Sequence, residues 1–166
     1  MPMQRRDRVI DGEVVIDTPA ARVWDAWTTS EGAETFFAPR CIIDLRPGGK
    51  YEMLFDPDEV PGKQGGEGNV VMAFQSGRML SISWNAPPAY PEIREQRTHV
   101  TVFLEALSPA QTKVVLRHDG WGEGAEWDAA YAYFERAWKR IVLPRLKYRF
   151  ENGPIDWDHP PDLGQP

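Results

Sequence analysis

Cysteine is almost absent. Cys41 stands alone and cannot close a disulfide within the chain, which excludes the small disulfide-stapled class and suits a reducing compartment. Histidine is nearly as scarce: His99, His118 and His159 fall in different expected elements, with no metal-ligand spacing among them. The acidic run Asp56-Pro57-Asp58-Glu59 lacks the alternating oxygen ligands of a calcium loop. No Walker loop, GxGxxG or GxSxG occurs, so neither a metal nor a cofactor is expected. No apolar run approaches the roughly 18 residues of a membrane span. The polar opening Met1 to Arg8 is followed by no apolar stretch of signal-peptide length, so a cytoplasmic protein is the expectation. Positive charge is in deficit, with 19 Lys and Arg against 25 Asp and Glu, and a net charge of −6 argues against a nucleic-acid partner.

Aromatic residues, by contrast, are plentiful: seven Trp, seven Phe and five Tyr in 166 residues. Rings of this size either fill a core or line a small-molecule pocket, and their placement decides which. The length suits one domain, expected over residues 8–153, with a proline-rich acidic tail at 154–166 that Ile155 and Trp157 could dock.

Ile10, Gly12, Val14 and Ile16 alternate with mostly polar residues as in a half-buried strand. Thr18-Pro19 offers a hydroxyl cap and a first-turn proline to a short helix carrying Val23, Trp24 and Trp27, and Ser30 can cap a second. Strand patterns then follow one another. Cys41, Ile43 and Leu45 pair across Pro47-Gly48-Gly49 with Tyr51, Met53 and Phe55 as a hairpin. After a long polar loop, read as flexible through Gly62 to Gly68, Val70, Met72 and Phe74 resume alternation. Leu80, Ile82 and Trp84 make the next strand. A last hairpin places Val100, Val102 and Leu104 on one face of its first strand and Val114, Leu116 and His118 on one face of its second. Trp127, Tyr131, Phe134, Trp138, Ile141 and Leu146 then recur at helical spacing, with Pro144 expected to bend that helix and Asn152-Gly153-Pro154 to stop it. Meandering strands with segregated helices predict an α+β fold: an antiparallel sheet of about six or seven strands, two short helices after the first strand, and a long C-terminal helix across the sheet.

This order resembles the helix-grip (START-like, Bet v 1-like) superfamily, and within it the domain of activators of heat shock protein 90 ATPase. The similarity is carried by Pro19 to Trp27, by Phe36-Phe37 where the family usually has Trp-Phe, and by Asp44 to Tyr51. Leu80 with Trp84, Thr112 to Trp121, and Phe134 to Leu146 complete it, over roughly Arg8 to Asn152. The resemblance implies a curved sheet wrapped around the last helix. Members include carriers of hydrophobic molecules, aromatase/cyclases of polyketide synthesis, and the co-chaperone domain. The co-chaperones use a separate preceding domain for which 166 residues leave no room, so weak or no binding to heat shock protein 90 is expected.

The expected partner is a small hydrophobic molecule, an aromatic one being one option, held between sheet and helix by Met53, Phe55, Met72, Trp84, His118, Tyr131, Phe134 and Trp138. His118 faces inward by alternation and is the one candidate for acid–base chemistry, as a cyclase- or dehydratase-like enzyme would require. Arg136, Lys139, Arg140, Arg145, Lys147 and Arg149 are expected to form a solvated basic face on the last helix.

Overall fold

The computed structural model describes residues 8–163, so the polar opening up to Asp7 and the last three residues of the tail lie outside the described residues. The chain runs β1 (Ile10–Ile16), α1 (Ala20–Thr28), α2 (Ser30–Ala33), β2 (Arg40–Ile43), β3 (Tyr51–Leu54), β4 (Val71–Gln75), β5 (Met79–Trp84), β6 (Thr98–Ser108) and β7 (Gln111–Asp119). A long helix closes it, built of α3 (Ala125–Arg136), a π-helical stretch (Ala137–Val142) and α4 (Leu143–Asn152). The fold is α+β, with a five-stranded antiparallel sheet ordered β1-β7-β6-β5-β4 and a two-stranded β2-β3 ribbon. Sheet and ribbon are joined where Tyr51 N–H reaches Asn69 O at 2.8 Å and Gly66 N–H reaches Met53 O at 2.7 Å. Glycines at 65, 66 and 68 keep this seam from becoming a regular ladder.

Alternation is honoured on the central strands. Ile10, His118, Val100 and Ile82 stand opposite one another across β1, β7, β6 and β5, all buried. Gly12, Leu116, Val102 and Leu80 form the next row. Onto these rows the long helix lays Trp127, Ala130, Phe134, Trp138, Val142, Leu143 and Leu146, every one buried. Gly12 is needed here, because a Cβ at that position would lie 3.0 Å from Leu143 Cδ1.

Three local expectations change. Met72 is the extra residue of a β-bulge between Val71 and Ala73, so it turns outward and is half exposed while Val71 takes the buried place. Thr18 does not cap α1; its hydroxyl accepts a bond from Arg22 Nη1 at 3.4 Å, and Pro19 stands at the helix start. Thr29, not Ser30, caps α2, its Oγ1 accepting Gly32 N–H at 2.9 Å, while Ser30 Oγ accepts Ile43 N–H. Pro144 is accommodated at the first turn of α4 by the π-helical turn before it, in which Leu143 N–H bonds Trp138 O five residues back. The beginning of the tail is docked: Ile155 is buried with its N–H on Thr35 O at 2.9 Å, and Trp157 Nε1–H bonds Glu34 O at 2.7 Å.

Gly12→Val should cost about 1–3 kcal/mol, because the added methyls overpack the β1–α4 contact. Urea melts would show a lower midpoint at unchanged slope. An unchanged midpoint would mean that the helix can shift away from β1 without loss.

Candidate functional site

Between the sheet and the middle of the long helix lies a cavity of about 500 Å³, open to solvent on one side. Its floor is Phe37 and Trp84, whose rings stack at 5.7 Å. Its helix wall is Phe134, Ala137, Trp138, Ile141, Val142 and Arg145, so the π-helical turn forms the middle of that wall. Phe55, 45% exposed, stands at the mouth and touches Phe37 and Trp84 at centroid distances of 6.0 and 6.5 Å. The rim is the loop from Asp56 to Gly66 together with the turn Asn85 to Pro88.

That loop is pinned. Arg94, 8% exposed, donates from Nη2 to Gly62 O and Gly65 O, each at 2.9 Å, pairs with Glu67 at 3.3 Å, and holds Ala86 O through Nη1. Glu67 also accepts Gln64 N–H at 2.7 Å. Asn69 donates to Asn85 Oδ1 at 2.9 Å, and Asn85 donates to Gly65 O at 3.1 Å. One guanidinium therefore fixes both parts of the rim to each other.

Of the sequence-expected cavity residues, Phe55, Trp84, Phe134 and Trp138 line the cavity. Met53 is fully buried in the core opposite Cys41, and Met72 faces outward because of the bulge. Tyr131 lies on the flank of the helix towards β1, its hydroxyl donating to Val9 O at 3.3 Å and its ring edge-to-face with Trp121 at 5.1 Å. Phe37, Tyr133, Ala137, Ile141 and Arg145 line the cavity without having been expected there. Ile141 and Arg145 continue the stripe of Phe134 and Trp138 at helical spacing, which could have signalled them.

His118 is fully buried and outside the cavity lining. Trp138 Nε1–H donates to its Nδ1 at 3.0 Å, so Nδ1 carries no proton and the neutral ring has its hydrogen on Nε2. Nε2 lies 2.6 Å from Thr98 Oγ1, which passes its own hydrogen to Trp84 O at 3.3 Å. Trp121 packs against the ring at 4.3 Å. Burial, with a smaller contribution from His99, pushes the imidazole down to about pKa 3. Both nitrogens are committed, and the ring serves as an acceptor that holds Trp138 in place.

Cys41 is buried, and its thiol is pushed up to about pKa 12 by burial and by Glu34, which leaves it protonated and inert. The last helix is not uniformly solvated on its basic face. Lys139 and Lys147 pair with Glu135 and Glu151 four residues away, at 3.2 and 3.9 Å, but Arg145 and Arg149 are half-buried with their Nε atoms unpartnered. On the outer sheet face, Ser81 Oγ lies 2.6 Å from His99 Nε2, and His99 Nδ1 lies 2.9 Å from Asp119 Oδ1. The order is that of a nucleophile relay. Ser81 nevertheless sits on a strand paired on both sides, so nearby N–H groups serve the ladder instead of an oxyanion, and the cavity does not reach it. The trio clasps three strands together. Among the described residues, no group of three His, Cys, Asp or Glu side chains is placed to hold a metal, and no helix is long and apolar enough to cross a membrane.

A neutral His118 makes stability pH-dependent in a defined direction. Its folded pKa of about 3 lies below the ordinary 6.5, so between those values the unfolded chain holds the extra proton. The contribution is complete above 6.5 and is lost as pH falls, at up to about 1.4 kcal/mol per pH unit. His118→Gln, which keeps an amide for Thr98 but does not titrate, should be less stable at pH 7 and show a flatter profile between pH 6.5 and 4. Urea melts across that range check it, and parallel curves for the two proteins would refute the assignment.

No protein with a curated description matches the chain significantly. Among solved structures, the Aha1 dimer of Colwellia psychrerythraea is similar at 20% identity and a TM-score of 0.66, over 88% of this chain and 98% of that one. An HSP90 activator from Plasmodium falciparum is similar at 14% identity and a TM-score of 0.66, over 88% and 96% of the two chains. A protein of the dynemicin biosynthetic locus is similar at 16% identity and a TM-score of 0.63, over 89% of this chain and 49% of its own length. These likenesses carry the fold, and the family follows from sequence. Residues 17–151 match the family described as "Activator of Hsp90 ATPase homolog 1-like protein", and the chain belongs to that family.

Proposed function

We propose that this chain binds a small hydrophobic molecule with an aromatic portion in the cavity between the sheet and the long helix. One observation carries the reading: about 500 Å³ of solvent-connected space walled by Phe37, Trp84, Phe134 and Trp138. A helix laid on a sheet ordinarily interdigitates to crystal-like density, and a void of this size is within the range of ligand pockets. The walls are held independently of any ligand. Trp138 is bonded to His118, and the rim is tied by Arg94. A pocket already formed avoids the ordering cost of binding.

The reading of His118 as an enzymatic acid or base has less support, because its nitrogens are occupied by Trp138 and Thr98 and its ring lies outside the cavity lining. A chaperone-associated role draws on the family description and on the Plasmodium falciparum neighbour. It does not call for the open cavity.

Ala137 lies half-buried on the cavity wall, so Ala137→Phe should fill the space without removing core contacts. Titration with the uncharged fluorophore Nile red should show wild-type binding and at least about a tenfold weaker affinity in the variant, equivalent to 1.4 kcal/mol. Thermal midpoints should agree within roughly 3 °C. Native mass spectrometry of protein taken from cell extract should show a retained small molecule. Absence of wild-type Nile red binding, or equal binding by the filled variant, would refute the cavity as the binding site.

A further inference from the structure

We propose that the ligand of this cavity is an amphipathic anion, an apolar aromatic body carrying one planar or tetrahedral oxyanion group, and that Arg145 pairs with that group. The inference rests on the cavity reading above and names the chemistry its ligand must have.

Phe134, Trp138, Ile141 and Arg145 follow at four-, three- and four-residue steps, which places the guanidinium on the same helix face as the aromatic wall. Arg145 therefore terminates an apolar stripe that borders the cavity. Its stem is held: the guanidinium lies 5.4 Å over the Trp157 ring, and the Trp157 indole is anchored to Glu34 O at 2.7 Å. The tail thus presents a stacking surface that orients the cation while occupying none of its donors.

Those donors are idle. Among the described residues Arg145 makes no hydrogen bond and no ion pair, and its Nε is buried without an acceptor. The contrast with Arg94 is direct. Arg94 is more deeply buried, but it spends its donors on Gly62, Gly65 and Ala86 carbonyls and on Glu67. Of the cavity's acidic residues, Glu59 turns its carboxylate back to Val60 N–H at 3.3 Å, and Asp56 sits in the same rim loop. Neither acts on Arg145, whose pKa is lowered by burial alone. A half-buried cation without a partner is a standing energetic cost, and it is removed when an anion arrives with matching oxygens. Arg149, one turn further along, also has an unpartnered Nε, but it borders a separate small hollow with Arg22, Asp25 and Phe150 and shares no aromatic wall.

The test uses two probes of similar aromatic bulk and different charge: anionic 1-anilinonaphthalene-8-sulfonate and uncharged Nile red. Arg145→Met keeps the apolar stem and removes the charge, and Arg145→Lys keeps a charge without the fork. Wild-type protein should bind both probes. Arg145→Met should weaken the anilinonaphthalene sulfonate at least tenfold and Nile red less than twofold, with Arg145→Lys between wild type and Met for the sulfonate. Raising salt from 50 to 500 mM should weaken sulfonate binding in wild type but not in Arg145→Met. Equal sulfonate affinity in wild type and Arg145→Met overturns the assignment, as does a parallel loss of both probes, which would mark Arg145 as structural. If Arg145→Met does not fold, sulfonate binding by Arg145→Lys equal to wild type with no salt dependence overturns it, and an intermediate, salt-dependent affinity upholds it. Nile red bound with the sulfonate rejected by wild type overturns the anion and leaves the cavity standing; neither probe bound overturns both.

Discussion

A single buried hydrogen bond, from the Trp138 indole to the His118 imidazole at 3.0 Å, sets the geometry on which the rest of the molecule depends. It joins the middle of the last helix to the inner face of β7, and it has a direction. The indole can only donate, so the imidazole must accept at Nδ1, stay neutral and give its remaining hydrogen to Thr98. Thr98 in turn satisfies Trp84 O on the next strand. The chain of donors crosses from helix to β7, β6 and β5 and leaves no polar atom of the ring unpaired, which is the condition for keeping an imidazole at zero exposure. Its two ends are Trp138 and Trp84, the two tryptophans of the cavity wall, 5.3 Å apart. The lock on the fold and the wall of the cavity are thus one structure.

The cavity itself follows from how the helix gets past Pro144. A proline two turns from the end of a long amphipathic helix removes one backbone donor and crowds the preceding turn. The chain answers with the π-helical turn from Ala137 to Val142, which widens the helix and lets the stripe resume at Leu143 and Leu146 against β1. Above that widened turn, Ala137 offers little volume and Ile141 lines the cavity wall. Opposite it, broad rings meet edge to face and leave space between them, where branched aliphatics would close up.

What the sequence revealed and what it concealed separate along physical lines. Strands buried on one face announce themselves through period-2 alternation, so β1, β6 and β7 and the inward direction of His118 were legible, as was the helix stripe through Trp138. The bulge at Met72 was not, because a one-residue insertion leaves the local pattern intact and reverses only which half of it is buried. The rim lattice of Arg94, Glu67, Asn69 and Asn85 was invisible for a different reason. Its members are polar residues in loops, joined by side-chain bonds that span 16 and 27 positions, and nothing periodic connects them. The glycines at 62, 65 and 68, all with positive φ, looked like slack but give the backbone carbonyls the turns that Arg94 requires. Likewise Arg145 reads as one more basic residue until Trp157, from the tail, is seen to lie beneath it.

Charge at long range and charge at contact work in opposite senses in this protein. A net charge of −6 repels an approaching anion, so no field steers such a ligand towards the mouth, and at physiological ionic strength what field there is fades within about 8 Å. The rim adds Asp56 and Glu59 to Lys63 and does not reverse that sign. In the proposed complex, recognition by Arg145 would then be a short-range event, made after the apolar body of the ligand has displaced water from the aromatic walls. The order matters energetically. In exposed, high-dielectric surroundings one ion pair contributes under about 1 kcal/mol. In the proposed complex the same pair would strengthen as the ligand's own body lowers the dielectric around it, and the guanidinium would have less solvation to lose because burial has already removed part of it. Apolar burial and charge pairing would therefore be cooperative in the proposed complex. A ligand with the ring system but no anion leaves the cation unpaired, and an anion without the ring system finds only a screened arginine in an open mouth.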